Sequence, residues 1–195
     1  MAIAATPTGA EPVDTLSASG SFTGKIRHIK IANAYGTAIF YGDFVKLVAA
    51  GTVEKSAITT AVVAGTVGIF VGCAYTDPST NQMTFNQQFP ASTASDDIVA
   101  YVVDDPKLLF RMQGDEAIAQ TGLGNNISAV NTAGSTSIGR SKNALDGGSI
   151  ATTNTLPLRV VDFVDGPTSA VGDAFTDCIV TYLPLSHAYE TKLGV

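Results

Sequence analysis

Short apolar–polar alternations recur along this chain, and turn residues separate them. Lys25–Ala32 (KIRHIKIA) alternates around Ile26 and Ile29–Ile31 and suggests a strand. Thr37–Ala49 predicts two strand pieces around Gly42-Asp43. In the second piece Phe44, Lys46 and Val48 share one face and Val45 and Leu47 the other. Ala50-Gly51 is a turn, and Thr52–Lys55 pairs back. Ala61–Tyr75 is the most apolar stretch; Gly65, Gly68 and Gly72 favour a bulged or tightly packed strand over a helix. Thr76–Asn81 (TDPSTN) is a turn, and Gln82–Phe89 returns with Met83, Phe85 and Gln87 on one face. That pair is the clearest hairpin.

Further strands are predicted at Asp97–Asp104, Leu108–Gln113, Leu156–Val164 and Asp177–Tyr182. Pro157 suits an edge or a strand start. Asp115–Ala129 is the one stretch that predicts a short helix, with Asp115 as its cap and Gly122 and Gly124 limiting its length. Residues 131–155 are polar and rich in Gly, Ser, Thr and Asn, a long loop with a short strand inside. Residues 1–24 carry no apolar period and read as an extended N-terminal arm, flexible or ordered by a partner. The organisation is thus an arm (1–24), a β-rich domain (25–185) and a short tail (186–195). Eight to ten short strands, with turns every 8–15 residues, predict an all-β fold: a compact β-barrel or β-sandwich, jelly-roll-like, with one short helix.

Composition supports this reading. The chain has 195 residues, with 23 Thr and 19 Gly against 4 Glu and 7 Lys, a bias toward strands and turns. Charged residues make up only 14 %, against about 25 % in an ordinary domain. So sparse a charge implies surface hidden within the fold or against partners. The net charge of −6 argues against nucleic-acid binding, which calls for a basic stripe. Lys25, Arg27, His28 and Lys30 form one short basic cluster, read as the solvated face of a strand. No run of apolar residues is long enough for a membrane helix, and Met1–Ala10 lacks the features of a secretion signal. The expected setting is a cytoplasm, or release by a route other than secretion.

Candidate chemistry is thin. His28 and His187 lie beside the arm and in the tail, and no GxSxG, HExxH or Walker pattern occurs. Thr121–Asn125 lacks the third glycine and the βαβ setting of a phosphate loop. Cys73 and Cys178 fall in apolar runs and read as buried thiols, with no zinc spacing. Asp96/Asp97, Asp104/Asp105 and the group Asp162, Asp165, Asp173 and Asp177 sit at strand ends, where acidic residues are ordinary turn formers. These clusters are the sole support for a polysaccharide-binding or hydrolytic β-sandwich, and the chain has no Trp to serve as a sugar platform. No cofactor, metal or catalytic residue is assigned.

Four stretches carry a resemblance: Gly42–Val48 (GDFVKLV), Gly68–Ser92 (GIFVGCAYTDPSTNQMTFNQQFPAS), Asp96–Asp115 (DDIVAYVVDDPKLLFRMQGD) and Leu156–Val180 (LPLRVVDFVDGPTSAVGDAFTDCIV). Together the chain resembles the head decoration, or cement, proteins of tailed bacteriophages. The resemblance implies a β-rich module, commonly a homotrimer, on the outer surface of the virion. It would bridge major capsid protein subunits and stabilise the expanded shell, with no enzymatic activity. The partners it implies are the major capsid protein and sister copies, not nucleic acid or membrane. Candidate contact residues are Pro7, Pro12, Leu16 and Phe22 of the arm, Lys25, Arg27 and Lys30 after it, and Arg140 and Lys142 of the polar loop. Other phage structural roles remain open: a minor head fibre, a tail-tube subunit or a shell subunit.

Overall fold

A computed structural model describes residues 4–16, 24–59 and 65–191. The fold is all-β, built as two antiparallel sheets. The first sheet contains β1 (Glu11–Thr15), β8 (Leu108–Gln113), β9 (Asn126–Val130), β10 (Ala144–Ala151), β11 (Leu158–Phe163) and β12 (Asp177–Tyr182), in the order β1-β8-β12-β11-β9-β10. The second contains β2 (Ile26–Lys30), β3 (Phe44–Leu47), β4 (Val53–Lys55), β5 (Thr66–Thr76), β6 (Met83–Asn86) and β7 (Val99–Val103). Its order is β2-β7-β5-β3-β4, with β6 added to β5.

Alternation along the second sheet feeds two cores. Phe44, Ile69 and Val103 point toward the first sheet and pack with Phe110, Ile127, Leu158 and Val180. Their immediate neighbours Val45, Phe70 and Val102 point the other way, into a second core with Ile39, Phe89 and Ile98. The central strands β3, β5 and β7 are therefore buried on both faces, which is why β5 lacks a polar face. Between the sheets Phe44, Phe110 and Tyr182 form an aromatic trio with centroids 5.1–6.1 Å apart. Gly68 serves a close approach: a Cβ there would lie 2.1 Å from the Val103 carbonyl oxygen.

The predicted helix over Asp115–Ala129 is not formed. A single 3-10 turn stands at Gln120–Gly122, and Asn126–Val130 is β9. Tertiary contacts outweigh local propensity here. The Ile118 N–H donates to Thr176 Oγ1 and its carbonyl accepts from Gly172 N, so neither backbone group is free for a helix. Ile118 itself is fully buried in the inter-sheet core.

The arm also differs from the expectation. Residues 11–15 are ordered on the chain itself, as the edge strand β1 beside β8. Of the two strand pieces expected in Thr37–Ala49, the second is β3, whereas the first makes only isolated bridges at Ile39 and Tyr41. The β5–β6 hairpin forms as predicted, pairing Cys73 with Asn86 through Thr76 with Met83.

Candidate functional site

The arm and the polar loop meet at one place, and a buried charge organises it. Asp43 is fully buried at the start of β3. Its carboxylate accepts from Phe40 N (2.9 Å), Ser141 Oγ (2.7 Å) and Asn143 Nδ2 (3.2 Å), and it pairs with Lys55 Nζ at 2.8 Å. A buried carboxylate needs that many partners to offset its lost hydration. Ser141 and Asn143 thereby pin the end of the polar loop to the second sheet. Next in the loop, Arg140 bridges to Tyr41, and its guanidinium lies 5.3 Å from that ring.

Arg140 then reaches the arm. Its Nη1 lies 2.5 Å from Glu11 Oε1, which also accepts from Thr8 Oγ1 at 3.0 Å. Beside this pair Ala10 is fully buried and donates its N–H to the Gly42 carbonyl. Gly9 has φ +77°, and a Cβ on it would stand 2.5 Å from the Ser141 Cβ. The arm is thus seated in a socket that only a small residue fits. Thr6 N donates to Gln113 Oε1, which ties the arm to β8. An apolar-walled cleft of about 190 Å³ opens alongside, lined by Pro7, Val130, Lys142 and Phe175 among others.

Arm and loop candidates therefore come together: Pro7 and Lys142 share that cleft, Arg140 binds the arm, and Pro12 sits opposite Phe110 in β1. Leu16 is exposed at the end of β1, its N–H on the Lys107 carbonyl. Phe22 lies outside the described residues. Lys25 and Arg27 belong to a second cleft of about 270 Å³ with Asp104, Asp105, Pro106 and Tyr189. Lys30 lies exposed at the far end of β2, apart from both.

In the second cleft Arg27 Nε lies 2.5 Å from the buried Asp104 Oδ2, and Tyr189 OH donates to the same oxygen at 3.2 Å. Burial and the Asp104 charge push the Tyr189 phenol up. His187 is fully buried between Tyr182 and Tyr189, with centroids at 5.2 and 5.1 Å. Burial pulls its imidazole below the ordinary value, opposed by the Val67 carbonyl and then by Glu190 and Asp104. So part of the segment read as a tail is anchored in the fold. Glu11, Asp43 and Tyr189 were not singled out in the sequence, because their roles depend on partners far along the chain.

The acidic clusters are largely absorbed by structural contacts. Asp177 pairs with Arg111, and Ser95 and Thr76 hold the Asp97 carboxyl down to about 2. Asp115, Glu116 and Asp146 bring carboxylate oxygens within 4.8 Å of one another at an exposed corner, where Gly147 N donates to Asp115 and Ser128 Oγ to Asp146. Cys73 and Cys178 are free and buried, and burial pushes both thiols up to about 12. His28 packs on Tyr101 at 4.7 Å. At His187 the Nδ1 accepts from Tyr189 N at 3.3 Å. No family model, curated protein or solved structure matches the chain.

Proposed function

We propose that this chain is a structural virion protein that binds the outer surface of a tailed-phage head. In this reading it acts as a homotrimer, bridges major capsid protein subunits and stabilises the expanded shell. The observation that carries the reading is the arm–loop surface. An N-terminal strand, a polar loop and an apolar cleft are fixed to one rigid β scaffold by Asp43, Arg140 and Glu11. Such a surface is made for contact rather than turnover, because its charged groups are spent on holding it together. Many identical weak contacts on a shell add up through multivalency. A net charge of −6 suits the outside of a head better than its DNA-facing side.

The test is co-sedimentation of the purified protein with expanded heads built from the major capsid protein encoded beside it. Saturable binding, a raised temperature of shell rupture and weaker binding by Leu16→Asp with Lys142→Glu are the expected results. Absence of binding overturns the proposal. A hexameric ring in solution points instead to a tail-tube subunit.

A further inference from the structure

Among the described residues the sheet edges of this fold are guarded, with one exception. β1 carries Glu11, Pro12 and Asp14 and a register shift. β2 carries Arg27, His28 and Lys30. β4 carries Glu54 and Lys55 and is bridged at Val53 by Ile31. β10 carries Asp146, shifts register after it, and is bridged at Leu145 by Gly114. Charges, proline, bulges and cover are the devices that keep an edge from pairing with another chain. β6 has none of them: its residues are Met83, Thr84, Phe85 and Asn86, in unbroken register with β5.

Its open side is well defined. Asp77 N donates to the Gln82 carbonyl at 2.9 Å, and the register pairs Tyr75 with Thr84 and Cys73 with Asn86. In an antiparallel ladder bonded pairs alternate, so Gln82, Thr84 and Asn86 turn their backbone groups to β5. Met83 and Phe85 turn theirs outward, and among the described residues no strand pairs with them. Their side chains share one face and are 58 % and 73 % exposed.

We infer that this edge is a self-association site, at which β6 pairs antiparallel with β6 of a second copy. Backbone parity pairs outward residues with outward residues, and the register that bonds both of them within β6 sets Met83 opposite Phe85 of the mate and Phe85 opposite its Met83, with a two-fold axis through Thr84. Each outward N–H and C=O then finds a partner, and two thioether–aromatic contacts form on the exposed face. Charge allows a second copy as the occupant. A two-fold contact sets residues near their own images, which is repulsive for a chain of net charge −6 wherever acidic residues lie in the contact. Residues 78–95 contain no charged side chain. The contact is independent of the proposed shell binding. It is also distinct from a trimer contact, which has no two-fold axis.

The test uses the full-length protein without shells. In the proposed register Thr84 faces its own image at a Cα separation of about 4.5 Å, within disulfide range. Thr84→Cys under mild oxidation is expected to give a covalent dimer on non-reducing gels, whereas Ser79→Cys at the hairpin tip gives little. The native cysteines are buried and stay silent. Adding Phe85→Lys, at a position that contributes little to either core, lowers the dimer yield roughly tenfold, as loss of an aromatic anchor does. The inference is overturned if Thr84→Cys crosslinks no better than Ser79→Cys, or if Phe85→Lys leaves the yield unchanged. It is equally overturned if the copies associate but Thr84→Cys does not trap them.

Discussion

Arg140 Nη1 stands 2.5 Å from Glu11 Oε1 across 129 positions of sequence, joining the polar loop to the first strand. Both groups are partly exposed, so the pair is worth under about 1 kcal/mol. Glu11→Gln is therefore expected to leave global stability nearly unchanged. Hydrogen exchange at the β1 amides is expected to accelerate, and added salt to do the same to the native protein. Unchanged β1 protection would mean that the socket around Ala10 holds the arm alone.

Asp43 is a different case, because its charge is fully buried. Asp43→Ala removes the partner of Lys55 Nζ and frees Ser141 and Asn143. Breaking a buried pair on one side costs about 3–5 kcal/mol. Urea denaturation measures the loss, and trypsin should cut after Arg140 faster than in the native protein.

Gly68 tests the packing of the second sheet. In Gly68→Ala the new methyl would lie 2.1 Å from the Val103 carbonyl oxygen, so β5 and β7 must move apart. Overpacking of this kind costs about 1–3 kcal/mol. Thermal denaturation checks it, with Gly36→Ala as a control, since nothing lies within 4 Å of that site.

His187 makes stability depend on pH. Burial lowers its folded value below 6.5, so between that value and 6.5 the unfolded chain binds a proton that the folded chain does not. The contribution is complete above 6.5 and lost as the pH falls through that window. The melting temperature is expected to drop on going from about pH 7.5 to about pH 5, and His187→Gln should flatten that slope. Calorimetry across this range is the measurement. An unaltered slope in the variant would assign the effect to other groups.

Cys73 and Cys178 are pushed up to about 12 by burial, so neither offers a thiolate at neutral pH. A disulfide reagent such as Ellman's is expected to find no reactive thiol in the native protein and two in urea. Fast labelling under native conditions would contradict this burial.

Several elements were legible from local pattern. Leu108–Gln113 and Asp177–Tyr182 form strands with the bounds the alternation predicts, and the turn at Thr76–Asn81 marks the β5–β6 hairpin. The helix over Asp115–Ala129 failed because Ile118 is pulled into the inter-sheet core and its backbone is bonded to Gly172 and Thr176. The arm was legible as extended but not as β1, since nothing in Glu11–Thr15 names β8 as its neighbour. The open edge of β6 was half visible. The shared face of Met83 and Phe85 is a matter of period, whereas its exposure depends on what else the fold covers.

By itself, then, the sequence determined the class of fold, because a two-residue period and frequent turns suffice to specify strands with a buried face. Tertiary structure alone decided which strands are neighbours. β8 takes β1 from one end of the chain and β12 from the other, and a period specifies a face but never a partner. It also decided which charges are buried and paired. Asp43 finds Ser141 and Asn143 about a hundred positions away, and Asp104 finds Arg27 and Tyr189 from opposite directions. Those pairings follow from packing two sheets together, which leaves each desolvated charge stable only where the fold brings it a partner.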